Sequence, residues 1–264
     1  MSGRFKFIGT GNARTVPVWG CHCRACERAR QESRHQRGAC SAVLEVDGFR
    51  VLIDAGQSDL CQRYLPADID AILLTHYHMD HVMGLFHLRW GKNCEIPVYG
   101  PDDAQGCDDL FKHPGVLAFQ PPMQAFETRS IGPIEVTALP LNHSKPTIGY
   151  SFLCPAQSTK VDGARRIAYL TDTLGLPTDT HDYLITHRPD IMALDCSHPP
   201  RPDPQNHNDL GLALKIIEAI QPPQAFLTHI GHELDNYFIE HPALPANVRL
   251  AEDGLELDLS HHAD

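Results

Sequence analysis

The chain has 264 residues, 42% of them hydrophobic, enough for one sizeable core. Its formal net charge of −11 argues against a nucleic-acid backbone or an anionic membrane as main partner, though not against a small phosphorylated substrate held by divalent metals. Nine cysteines with no secretory-type leader or membrane-length apolar run predict a reducing, cytoplasmic setting, and 17 histidines direct attention to metals.

No repeat or linker divides the chain, so a single domain over 1–264 is expected. RFKFIG reads as a first strand. The polar, Cys- and Arg-rich stretch 12–40 reads as a loop with one short helix. AVLEV and FRVLID flank Asp47-Gly48, a hairpin signal, and IDAILLT is a buried strand. In HMDHVMGLFHLRW, residues Val82, Leu85, Phe86 and Leu88 are spaced for a helix. Further strands are expected in IPVYG, IEVTALPL, TIGYSFL, RRIAYLT, IMALD and QAFLTH, and helices in DDAQGCDDLFKH, TDTHDYLITH and NDLGLALKIIEAI. VRLAEDGLELDL reads as a second hairpin around Asp253-Gly254. So many antiparallel signals between helices predict an α+β chain with a helix-flanked double-sheet core.

Strand after strand ends in a residue able to bind metal: Asp54, His76, His143, Asp172, Asp195 and His229. Loops at strand ends can bring such residues to one edge of a core. The densest cluster is THYHMDH, where His76 and His78 project to one side of an extended segment and Asp80 and His81 follow at the turn into a helix. Four donors so close together suit two adjacent ions better than one. His143, Asp172 and His229 are candidates to complete such a pair, with Asp172 able to bridge. The plainer alternative is a histidine-rich surface loop.

GCHCRAC offers Cys21, Cys23 and Cys26, one ligand short of a tetrahedral zinc site. His232 in THIGHELD is the chosen fourth ligand, ahead of His22; redox thiols or unliganded cysteines are the alternatives. The remaining cysteines (Cys40, Cys61, Cys94, Cys107, Cys154 and Cys196) read most simply as buried thiols.

The H-x-H-x-D-H run at 76–81 resembles the signature of the metallo-β-lactamase superfamily. The resemblance extends along most of the chain through Asp54, His143, Asp172 and His229. It implies an αββα sandwich with a dinuclear site: His76, His78 and His143 on one ion, Asp80, His81 and His229 on the other, Asp172 bridging, and Asp54 behind the ligands. Within that superfamily, VPVWGCHCRAC, LPLNHSKPTIGY, DCSHPPR and LTHIGHELD resemble the cyclic-phosphate phosphodiesterases of the carbon–phosphorus lyase pathway. That closer resemblance implies hydrolysis of 5-phospho-α-D-ribose 1,2-cyclic phosphate to ribose 1,5-bisphosphate in phosphonate catabolism. It also implies manganese at the catalytic site, one structural zinc on Cys21, Cys23, Cys26 and His232, and a homodimer. Thr15 departs from the family pattern at a turn position often held by glycine.

Opening a cyclic phosphate leaves an alkoxide that needs protonation, so a general acid is required. The resemblance points to His207 for that role, with His198 as fallback and a solvated loop histidine as the plain alternative; Asp80 is counted as catalytic as well as a ligand. Lys145 and Arg201 are candidates for the 5-phosphate, each equally readable as an ordinary surface charge. Arg89 is assigned to structure. Rival readings are a 2′,3′-cyclic nucleotide or tRNA 3′-end phosphodiesterase, a lactonase or thioesterase, and a non-catalytic metal-binding scaffold.

Overall fold

The computed structural model describes residues 3–155 and 164–259. Two seven-stranded sheets pack face to face. The first contains β1 (Gly3–Gly9), β2 (Ser41–Val46), β3 (Phe49–Ile53), β4 (Ala71–Leu73), β5 (Ile96–Tyr99) and β6 (Leu117–Phe119), with β14 (Glu256–Asp258) on the outer edge beside β1. The second contains β7 (Thr128–Ile131), β8 (Ile134–Pro140), β9 (Ile148–Cys154), β10 (Arg165–Leu170), β11 (Ile191–Asp195), β12 (Gln224–Thr228) and β13 (Val248–Leu250) in spatial order from one edge to the other.

Alternation along the strands explains the layering. Ala42, Leu44 and Val46 of β2 face the core between the sheets, whereas Val43 faces outward. In β10, Ile167 and Tyr169 point inward, while Ala168 and Leu170 meet the helices outside. Both sides are apolar because both are covered. Outside the first sheet lie the short helices α2 (Leu60–Arg63), α3 (Met79–Val82), α4 (Leu85–Leu88) and α5 (Asp108–Lys112). α6 (Thr178–Thr186), α7 (Leu210–Ile220) and α8 (His232–Glu240) cover the second. The result is the expected αββα sandwich. α1 (Arg24–Gln31) is the one α-helix in the 12–40 stretch, followed by a 3₁₀ turn at Ser33–His35.

The hairpin at Asp47-Gly48 forms as the sequence predicts, with φ of +50° and +84° at its two central residues, the conformation that favours glycine. The hairpin expected around Asp253-Gly254 does not. β13 pairs with β12 in the second sheet and β14 with β1 in the first, so the turn carries the chain from one sheet to the other. The Asp253 carboxylate accepts from Thr10 Oγ1 at 2.7 Å and Gly38 N at 2.6 Å, tying this crossover to the first sheet. Two open sheet edges outcompete one short local pairing. The helix expected over HMDHVMGLFHLRW is two short helices, α3 and α4. The second expected helix after Asp102 is confined to α5. Helices α2 and α8 and strands β6 and β7 lie outside the elements expected from the sequence.

One further correction concerns the cysteines. Cys40, Cys154 and Cys196 are buried thiols, but Cys61 is exposed and Cys94 and Cys107 are half-buried. Arg89 has the structural role assigned to it: it pairs with Asp109 at 2.7 Å and lies over the Phe86 and Trp90 rings. Thr15 has φ +57°, which accounts for glycine being the easier residue there. Among the described residues, no helix is long and apolar enough to cross a membrane.

Candidate metal centre

Strands β3, β4, β8, β10 and β12 deliver their carboxyl-terminal ends to one edge of the sandwich, and the residues just beyond them are Asp54, His76, His143, Asp172 and His229. At three of these, Asp54, Asp172 and His229, φ is +57°, +62° and +59°. A left-handed residue ends the strand abruptly and turns its side chain into the site; this conformation costs about 1–3 kcal/mol per residue and is characteristic of functional positions. Gly56 lets the backbone after Asp54 pass against the Asp80 carbonyl, where a Cβ would collide with it.

His76 Nε2, His78 Nδ1 and His143 Nε2 converge, at 2.9 Å between the first two and 3.1 Å between the last two. Cis nitrogens at bond lengths of about 2.1 Å from one ion would be about 3.0 Å apart. Asp80, His81 and His229 form the second group, with Asp80 Oδ2 3.4 Å from His81 Nε2 and 3.6 Å from His229 Nε2. Asp172 lies between the groups: Oδ1 is 3.8 Å from His76 Nε2, 3.6 Å from His143 Nε2 and 3.4 Å from His229 Nε2, and Oδ2 is 3.1 Å from His81 Nε2.

Most of the histidines use their other ring nitrogen on the protein. His81 Nδ1 meets Asp54 Oδ2 at 2.8 Å, and Asp54 also accepts from Thr75 N and Oγ1. His76 Nδ1 lies 3.0 Å from Thr75 Oγ1, His229 Nδ1 2.9 Å from Ser197 Oγ, and His143 Nδ1 3.2 Å from the Asn206 carbonyl. Anchoring one nitrogen orients the other toward a metal.

The fit to cations shows in the atoms left over. His81 Nε2 and His229 Nε2 are buried with no hydrogen-bond partner; their nearby carboxylate oxygens lie off hydrogen-bond geometry. Buried orphans are costly unless an ion accepts their lone pairs. The charges agree. Burial disfavours ionisation of Asp80 and Asp172, yet the surrounding histidines hold both carboxyls below their ordinary range. Burial likewise opposes charge on His81, but Asp172 and Asp54 lift it well above the usual imidazole value, placing a proton where a cation would serve.

The four side chains expected to hold zinc also come together. His232 Nδ1 at the start of α8 lies 3.4 Å from Cys21 Sγ and 3.5 Å from Cys23 Sγ, and Cys26 Sγ completes the group. Tetrahedral S···N edges around zinc are about 3.6 Å. Burial pushes the Cys26 thiol up to about 12, so ligation there would be coupled to proton release. His22 instead points away and pairs with Glu27 at 2.7 Å.

His207 sits over the histidine–carboxylate cluster, its ring stacked 4.7 Å from His229 and tilted by 54° against His143 at 5.0 Å. Its Nδ1 lies 2.8 Å from Asp195 Oδ2. Burial opposes its charge, but Asp195, Asp172 and Asp80 outweigh that and raise the imidazole to about 9. Asp195, grouped with the strand-end metal candidates in the sequence, therefore holds His207. His198 is farther out, 6.4 Å from His207 between ring centres. Lys145 pairs with Asp103 at 3.0 Å, and Arg201 turns to Glu233 at 3.2 Å, on the side of the zinc cluster. Ser197, Asn206 and Glu233 gave no signal in the sequence, because their contacts come from loops far apart in the chain.

Fold and site together define a chain of the metallo-β-lactamase fold with a two-group cluster of metal-competent side chains. Residues 49–230 match the beta-lactamase superfamily domain, and the chain belongs to that superfamily. It is similar to an octanoyltransferase of Porphyromonas gingivalis (29% identity; 96% of this chain, 51% of the relative). It is also similar to ribonuclease Z of Methanopyrus kandleri (30% identity; 60% of this chain, 52% of the relative). The chain thus spans about half the length of these curated relatives. Among solved structures, a diphosphatase described as a new member of the PhnP family superposes with a TM-score of 0.79 at 27% identity, covering 98% of this chain and 97% of that one.

Proposed function

We propose that this chain is a PhnP-type phosphodiesterase that opens 5-phospho-α-D-ribose 1,2-cyclic phosphate to α-D-ribose 1,5-bisphosphate. The observation that carries the reading is His207, held by Asp195 and stacked against His229 at the mouth of the ligand cluster. Hydrolysis of a thioester has less need of such a group, because a thiolate leaves without a proton, whereas expulsion of a sugar alkoxide needs an acid. The likeness to a PhnP-family structure over nearly the whole of both chains supports the same reading.

His76, His78 and His143 would hold one divalent cation and Asp80, His81 and His229 the other, with Asp172 shared; we infer manganese at both. Such cations supply charge neutralisation at phosphorus and a water of lowered pKa. The protein's own groups do the rest. Asp195 accepts from Nδ1–H of the His207 imidazolium, leaving the proton on Nε2 to be delivered. Attack of water on phosphorus breaks the bond to O2 of the ribose, and His207 protonates that oxygen as it leaves. Asp80 orients the second cation's side of the site. Lys145, half-buried near His78, is the better-placed anchor for the 5-phosphate; Arg201 is the other. Zinc on Cys21, Cys23, Cys26 and His232 pins the 12–40 loop to α8. A cytoplasmic homodimer in phosphonate catabolism completes the proposal.

A second reading, hydrolysis of a diphosphate at the same site, is favoured by the similar structure's being a diphosphatase. Phosphorus NMR of the manganese-loaded protein with the cyclic phosphate separates the two. Replacement of the cyclic-ester signal by two monoester signals is the expected result. An unchanged cyclic ester alongside cleavage of a sugar diphosphate would overturn the first reading in favour of the second.

A further inference from the structure

A second concavity lies where α1, the 33–37 turn, the carboxyl-terminal half of α8 and β13 meet. It encloses about 620 Å³, and no residue of either metal cluster lines it. Helix α8 begins at the zinc cluster and ends at this pocket, about 13 Å away at 1.5 Å per residue.

The lining is unusual for a chain of net charge −11. Arg28, Arg34, His35 and Arg249 form a rim whose basic groups outnumber its one exposed carboxylate, Glu252, and Phe238 and Leu244 belong to an apolar wall. At the base, Arg37 and Asp235 neutralise each other through a two-pronged pair of 2.7 and 2.9 Å. Arg34 is engaged with Glu32 at the surface. Arg28 and Arg249 make no ion pair with any described residue, and Arg28 Nε is buried without a hydrogen-bond partner. The positive field is felt locally: burial lowers the His35 imidazole, and Arg28 and Arg34 lower it further. Unpaired guanidinium groups beside a hydrophobic wall form a site for an anion that carries a hydrocarbon.

We propose that this pocket binds a small phosphate monoester with an apolar substituent, the phosphate on Arg28 and Arg249 and the substituent against Phe238 and Leu244. A dianionic phosphate offers acceptors for two guanidinium forks, and the wall rewards burial of the substituent. The site is separate from the metal centre and does not depend on the reaction assigned there.

The test is calorimetric titration of the full, metal-loaded chain with n-hexyl phosphate and with inorganic phosphate. Hexyl phosphate should show two binding events, one at the metal centre and one at the pocket, the latter at least tenfold tighter than inorganic phosphate. R28Q/R249Q should lose the pocket event by tenfold or more while keeping the other event, the melting temperature and hydrolysis of bis(p-nitrophenyl) phosphate. Leu244→Asn should have the same effect on hexyl phosphate alone, guarding against a folding artefact. Hydrogen exchange in segment 238–250 should slow on binding in the parent protein only. Absence of any event that R28Q/R249Q removes, or equal affinity of that event for the two phosphates, would each overturn the proposal.

Discussion

The Nδ1 atom of His207 lies 2.8 Å from Oδ2 of Asp195, whose same oxygen also accepts from the Thr173 backbone N–H at 3.0 Å. Asp195 is fully buried at the end of β11, while His207 is on the loop before α7. Strand and loop are thereby fixed to one another, and the imidazole is held with its far edge toward the metal ligands. If His207 is the acid, replacing it by alanine should lower turnover about 10²–10⁴-fold on an alkyl phosphodiester. The loss should be much smaller on a p-nitrophenyl ester, whose leaving group needs no proton. Metal content by elemental analysis should be unchanged; equal losses on both substrates would remove His207 from the acid role.

Asp195→Asn keeps the shape and removes the charge. In the metal-free protein the His207 imidazole, raised to about 9 from 6.5, should fall toward the ordinary value, as read by ¹⁵N NMR. The sign of the stability linkage follows. A raised folded-state value means that the His207 interaction contributes fully below about pH 6.5 and is lost as pH rises through about 9. The stability difference between metal-free parent and His207→Ala should therefore shrink between pH 6 and pH 10. A difference that grows over that interval would contradict the assignment.

Cys26→Ser should release one equivalent of zinc without removing the catalytic metals. Because α1 packs against α8 beside that cluster, the melting temperature should fall by more than about 5 °C. Glu233, next to the ligand His232, also holds Arg201 of the loop that bears His207. Turnover should thus decline with zinc loss although the dinuclear ligands are intact. Full stability after complete zinc removal would show that the cluster does not brace the fold.

Arg37 and Asp235 are both buried and pair through two hydrogen bonds, joining the N-terminal loop to α8. Asp235→Ala strands a buried guanidinium and should cost about 3–5 kcal/mol in denaturant unfolding. The double change Arg37→Met with Asp235→Leu should cost markedly less, since it removes both charges together. Equal costs would mean that the pair is not isolated from water.

The residue types at the centre were legible from the chain alone, because metal ligation limits donors to a few side chains and the strand-end spacing of THYHMDH, LPLNH, AYLTD and AFLTH repeats one local chemistry. The double-sheet core was legible for a similar reason: both faces of its strands are covered, leaving apolar runs too plain to miss. Tertiary structure alone decided which sheet receives β13 and β14, since pairing energy depends on which edges are open and not on the turn between them. It alone assigned Asp195 to His207, Asn206 to His143 and Ser197 to His229, contacts between loops whose spacing in sequence carries no period. It also broke the expected helix after His78 into α3 and α4. Local patterns are written in neighbouring residues, but the partner of a buried polar atom is chosen by the whole packed fold, where each lone pair must find a donor or a cation.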